Sequence, residues 1–195
     1  MVGTGIFVRL KQPLRLFRRD KRGVSAVEFA LILPVMLMLY LGCDELGNGL
    51  TIARKVTHVT STVSDLVTQS KDSITSSEMT NILNAATSIM TPYGAGTVRI
   101  RITEYYVDKD KKVTVVWSVA RNPLTTAENA LAKDTVITTL PTTLKVAKTY
   151  LVTTEVHYAY TPTIGYVLTG TFDLHDQFYL RPRLSDGITG PQGTL

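Results

Sequence analysis

The chain has 195 residues, 44% of them apolar and 19% charged, enough for one domain plus an appendage. Its single cysteine, Cys43, excludes an internal disulfide framework and a cysteine-rich zinc site. The formal charge of +5 is concentrated at one end: seven of the 21 basic residues but one of the 16 acidic ones fall in residues 1–22, which carry +6 and leave −1 for the rest. A body this close to neutral lacks the basic face that nucleic-acid-binding domains carry.

Residues 1–23 form a basic leader that ends in Lys21-Arg22-Gly23. Residues 24–43 follow as VSAVEFALILPVMLMLYLGC, with Glu28 their only charge. Twenty helical residues rise about 30 Å, the thickness of a bilayer core. The other reading of such a run is a buried core helix, which rarely follows directly on seven basic residues. The basic flank holds the N-terminus in the cytoplasm, while the opposite flank opens with Asp44 and Glu45. The expectation is a single-pass membrane protein with a cytoplasmic N-terminus and an extracytoplasmic head.

Three kinds of N-terminal segment fit this pattern. A cleaved secretory signal needs a small-x-small motif after the apolar run, and no clear one is present. A lipoprotein signal would use Gly42-Cys43, but Tyr40 is bulky for that role and Glu28 and Pro34 interrupt the run. A prepilin-type leader is instead cut on the cytoplasmic side, between Gly23 and Val24, and leaves the apolar stretch in the mature chain. This third reading uses the residues most fully. Gly23 lets a peptidase take the backbone extended, and Glu28 becomes the fifth residue of the mature chain. A carboxylate just inside hydrocarbon needs a partner, and the new N-terminal amine of a neighbouring subunit would supply one. Ser25-x-x-Glu28 also fits a capping box, a local role compatible with the first. Pro34 is a candidate bend in the span.

Arg22-Gly23, Glu28-Phe29, a leucine-rich span containing Pro34, and then Glu45-Leu46-Gly47 occur in this order over roughly residues 18–50. This stretch resembles the TadE-like proteins, minor pseudopilins of the Tad (Flp) pilus systems. The resemblance implies a structural or assembly protein rather than an enzyme, without a cofactor, metal or small-molecule substrate. It implies cleavage by a prepilin peptidase and, as partners, the membrane, other pilins and pseudopilins, and the Tad assembly machinery of pilus-linked secretion and adhesion. The rather long head leaves a wider TadE/TadG-like group open. The alternative is a membrane-tethered extracytoplasmic binding module, with an uncleaved signal anchor or a lipid on Cys43.

Beyond the span, Ile52, Val56, Val59, Val63 and Leu66 recur at helical spacing, so 44–69 reads as an amphipathic continuation, weakened by Gly47 and Gly49. A second helix is expected at 77–90, with Met79, Ile82, Leu83, Ala86 and Ile89/Met90 as its stripe, completing a helical region over 44–90. The strand-rich head covers 91–183. Tyr93-Gly94-Ala95-Gly96 is a loop. Val98, Ile100 and Ile102 alternate with Arg99, Arg101 and Thr103, and a charged turn at 108–112 leads to Val113, Val115, Trp117 and Val119: a β-hairpin. The Thr-rich segment 122–148 reads as an excursion with a short helix near 127–132, and 150–160 with 170–180 as a second antiparallel pair. The tail, 184–195, holds three glycines and Pro191 and reads as frayed. The fold expected is α+β: a long N-terminal helix with a small head whose antiparallel sheet has about four strands, one face on the helix and one wet.

No nucleotide-binding, serine-hydrolase or zinc-protease motif occurs in the sequence. Asp173, His175 and Asp176 make the best metal-like cluster. On a strand, however, Asp173 and His175 share one face and Asp176 takes the other, so a solvated strand end is the better reading. The tyrosines at 105, 106, 150, 158 and 160 read as ordinary strand composition, with an interaction surface as the other option. Arg181-Pro182-Arg183 reads as surface, or as contact for an acidic partner.

Overall fold

The computed structural model describes residues 23–94, 98–165 and 168–195. The leader up to Arg22 lies outside the described residues, as do Ala95 and Gly96 of the expected loop. Helix α1 runs without a break from Val24 to Thr68. Its 45 residues are about 67 Å long at 1.5 Å per residue, so the expected span and the expected amphipathic helix are one element. Pro34 lies inside it. Gly47 and Gly49 do not melt it. Gly49 serves a close approach instead: a Cβ there would stand 3.3 Å from the Tyr160 ring.

The distal half of α1 buries Ile52, Val56, Val59, Val63 and Val67. The stripe ends on Val67 rather than Leu66, which faces outward. Thr60, Ser64 and Thr68 are buried beside it, and each hydroxyl donates to the carbonyl four residues back at 2.8 Å. These polar groups therefore enter the core already paired. Helix α2, Ser76–Ile89, begins at a capping box in which Thr75 and Glu78 satisfy each other's backbone amides. It adds Met79, Leu83 and Ala86 to the same core.

The head sheet has four long strands, as expected, and two short ones: β1 (Val98–Val107), β2 (Val113–Arg121), β3 (Val136–Ile137), β4 (Thr149–Tyr160), β5 (Phe172–Leu180) and β6 (Gly193–Thr194). The order is β3-β2-β1-β4-β5, with antiparallel pairing throughout, and β6 joins β2 in parallel. Both expected hairpin pairs form. Period-2 alternation sends Ile100, Ile102, Val152 and Val156 into the core with α1 and α2. An irregularity in the β1–β2 register between Glu104 and Tyr105 re-aims the rows beyond it. Trp117 then stays with the helix-side core, while Val113 and Val115 join Tyr105 on the opposite face.

That opposite face is not simply wet. The excursion over 122–148 forms 3-10 turns at Thr126–Glu128 and Thr142–Leu144 rather than the expected helix. Its Leu131, Leu140 and Leu144 pack on a second cluster of Tyr105, Val107, Val113 and Leu151. Tyr105, Tyr158 and Tyr160 are buried, which removes them from any interaction surface; Tyr106 and Tyr150 pack against each other as a tilted pair at 4.9 Å.

The tail corrects the sequence reading. Residues 184–195 are docked, not frayed. Ile74 N–H donates to Thr189 at 2.8 Å, Ile188 is buried, and β6 extends the sheet. The glycines that suggested fraying serve contact instead. A Cβ at Gly190 would collide with the Trp117 ring, and one at Gly187 would stand 2.8 Å from the Tyr150 ring. Glu104 closes this seam. Fully buried, its two carboxylate oxygens accept from Trp117 Nε1 at 2.9 Å and from the Ile188 amide at 2.8 Å. Burial raises the Glu104 pKa to about 7, against the lowering pull of those two donors.

Two outcomes follow for the detergent-solubilised full chain, followed by Trp117 fluorescence in denaturant. Gly190→Ala should cost about 2 kcal/mol, because the ring and tail must separate to admit the methyl. The raised carboxyl of Glu104 means that the folded state holds a proton which the unfolded state has released. Stability from this group is therefore full below about pH 4.5 and lost as pH rises to about 7. That part of the slope should vanish in Glu104→Gln.

Candidate functional site

The proximal half of α1 is bare. Leu31 is 72% exposed and Tyr40 69%, and the apolar window has no part buried within the protein. This removes the core-helix reading. Among the described residues, α1 is the one helix long and apolar enough to cross a membrane. It begins directly after Gly23, the N-cap, with no side-chain cap. The expected Ser25–Glu28 capping box does not form, because Ser25 already lies within the first helical turn. Glu28 and Phe29 are exposed on this bare surface. Among the described residues, no group pairs with Glu28.

The head grips α1 where the bare surface ends. Glu45 is 2% exposed. Its carboxylate accepts from the backbone N–H of Gly165 at 2.6 Å and of Leu168 at 2.9 Å, both in the β4–β5 connection. Its own carbonyl accepts from the Tyr160 hydroxyl at 3.1 Å. Burial and the neighbouring Glu45 raise the Tyr160 pKa, so the phenol stays a donor. The sequence showed Glu45 only as an acid after the span. A signal was available: counting back from Ile52 in steps of three and four reaches Gly49 and then Glu45, so both lie on the core-facing stripe. At the far end of α1, Arg183 pairs with Asp65 at 2.5 Å and its amide donates to the Thr68 carbonyl at 3.0 Å. This basic residue therefore has an internal acidic partner.

The Asp173 cluster is a structural network. Asp173 accepts from Arg99 and lies 2.8 Å from His157 Nδ1, while Arg99 also holds Glu128 at 2.6 Å. Burial pushes the Asp173 carboxyl up, but His157 and Arg99 outweigh it and hold it below the ordinary value. His175 stacks on His157 at 5.5 Å. Arg101 pairs with Glu155, which also accepts from Gln177 at 2.8 Å. Asp173 and His175 are thus absorbed into a cross-strand polar face. Among the described residues, no three His, Cys, Asp or Glu side chains come together as a metal site.

A head clamped to one exposed, membrane-length helix defines a membrane-anchored α+β protein. The family model described as TadE-like protein matches residues 23–64, from the glycine before α1 to the core-facing half of that helix. The resemblance carried by Gly23, Glu28, Phe29, Pro34 and Glu45 is thereby borne out over this segment, and the match supports a TadE-like protein of the Tad pilus system. Strands β1–β6 lie beyond the matched segment. No curated protein and no solved structure matches the chain.

The junction yields a direct expectation. Glu45→Ala removes the acceptor for two amides, which should cost about 2 kcal/mol or more. In the reconstituted protein, hydrogen exchange at Gly165 and Leu168 should accelerate while the β1–β2 amides stay protected. Unchanged exchange at those two amides would contradict the clamp.

Proposed function

We propose that this chain is a minor pseudopilin of a Tad/Flp pilus. It sits in the inner membrane with a cytoplasmic N-terminus and a periplasmic head, and takes part in pilus assembly. The observation that carries the reading is the bare helix. The TadE-like match opens at Gly23, α1 opens at Val24, and the apolar side chains that follow have no cover from the head. A prepilin peptidase that cuts between Gly23 and Val24 would remove the basic leader with Arg22 and leave a mature chain that is helical from its first residue. Glu28 would then lie one turn from the new amine. The lack of a partner for Glu28 among the described residues fits pairing with a neighbouring pilin or pseudopilin. A carboxylate at the edge of hydrocarbon is costly until paired, so pairing would reward correct register. Phe29 would pack against the same neighbour, and Pro34 would loosen the span for that fit.

Intact mass of the membrane-extracted protein should give a chain that starts at Val24. A chain that starts near Met1, or a lipid on Cys43, would favour a tethered binding module instead. Replacing Gly23 with a bulky residue should block cleavage yet leave the protein in the membrane. Glu28→Gln should insert, fold and accumulate normally but lower crosslinking to pilin partners and pilus number. Because no capping box forms, loss of a helix cap cannot produce that result. Full piliation by the Gln variant would contradict the role given to Glu28.

A further inference from the structure

Just above the Glu45 clamp, an apolar groove of about 250 Å³ opens between α1 and the start of β5. Leu46, Leu50 and Ala53 form one wall, and Leu168, Phe172 and Leu174 the other. Leu46 is 53% exposed, Leu50 60% and Phe172 41%, an unusual density of bare apolar side chains on an extramembrane head. We propose that this groove is a lipid-binding surface: the head sits against the bilayer, with the groove in the boundary between headgroups and acyl chains. The inference rests on α1 crossing the membrane.

Three observations favour lipid as the occupant. The first is continuity. Leu46 follows the exposed Leu39 by two helical turns, so Leu39, Leu46 and Leu50 form one uninterrupted apolar stripe from the span into the groove. The second is height. If hydrocarbon ends near Cys43, Leu46 lies about 5 Å and Leu50 about 10 Å above it. The interfacial layer is about 5–7 Å thick on each side, and apolar faces of surface-bound helices sink about 5–10 Å into that boundary. Side chains on a helix also lean toward its N-terminus, here toward the bilayer, which lowers both leucines further. The third is the clamp. Glu45 draws Gly165 and Leu168 down to the level at which α1 leaves the bilayer, and Ile164 beside them is exposed as well. A buried carboxylate that fixes the connection so low puts the Phe172 wall at the membrane surface rather than out in water.

The test is nitroxide accessibility in the full chain reconstituted into phosphatidylethanolamine–phosphatidylglycerol vesicles, in a Cys43→Ser background. Labels go on Leu46→Cys and Phe172→Cys, with Met36→Cys as the deep reference and Thr57→Cys as the exposed aqueous reference. Trp117 emission confirms that the head is folded in each. Relative to Thr57, the labels at 46 and 172 should show a several-fold higher ratio of oxygen to chelated-nickel collisions, independent of protein-to-lipid ratio. A Thr57-like ratio at 46 and 172, with Met36 deep, would overturn the lipid seat alone. Shielding from both reagents that disappears as the protein-to-lipid ratio is lowered would overturn it in favour of a second copy in the groove. A Met36 label that behaves like Thr57 would overturn the membrane span itself.

Discussion

One buried carboxylate fixes how this molecule is put together. Glu45 lies on the core-facing stripe of α1, at the point where the helix stops being bare and starts being covered. A charge there is costly unless it is bonded, and two backbone N–H groups of the β4–β5 connection bond it. Tyr160 closes the same corner from the end of β4, its ring on Gly49 and its hydroxyl on the Glu45 carbonyl. The sheet therefore cannot slide along or swing about α1 without stranding a carboxylate and two amides. Because α1 is one helix from Val24 to Thr68, whatever holds the span also holds the head.

The head follows from that seat. Its helix-side face is an aliphatic core shared by α1, α2 and the sheet, and its other face divides into a second apolar cluster and a polar ladder through Arg99, Arg101, Glu155, His157 and Asp173. The C-terminal tail completes the first core, where Glu104 holds both the Trp117 indole and the Ile188 amide. Two buried carboxylates thus do the same job at opposite ends of the sheet: each fixes a loop or tail by accepting from its backbone. Where the head adjoins the span, the exposed apolar side chains Leu46, Leu50, Ile164 and Phe172 gather together.

What could be read from the sequence was what depends on local pattern. The apolar run with one charge, the three- and four-residue spacing from Ile52 to Val63, and the alternation around Ile100 and Trp117 each specify an element by periodicity, and those elements form. Contacts distant in sequence were not legible. Gly187, Gly190 and Gly193 carry the composition of a frayed end, and only the ring of Trp117 or Tyr150 behind the first two shows why a side chain is excluded. Gly47 and Gly49 argued for a weakened helix, because propensity is against glycine there, yet the helix runs through both, and at Gly49 Tyr160 from the far end of β4 packs where a side chain would be. Ser25 and Glu28 have the spacing of a capping box, yet the helix starts at Val24 and leaves them inside its first turn. Glu45 was visible as a residue but not as a clamp, since its partners are 120 and 123 positions away.

Helix α1 is a single rod from the apolar span to the core of the head, with no joint at Gly47 or Gly49. The most direct test is the distance between nitroxides at Met36 in the span and Thr57 in the head, measured by double electron–electron resonance in vesicles. Twenty-one residues of continuous helix separate the two backbone positions by about 32 Å. A single narrow distribution near that value is the result predicted. A broad distribution, or one shifted to markedly shorter distances, would mean that the helix breaks at the membrane surface and that the head is not fixed to the span.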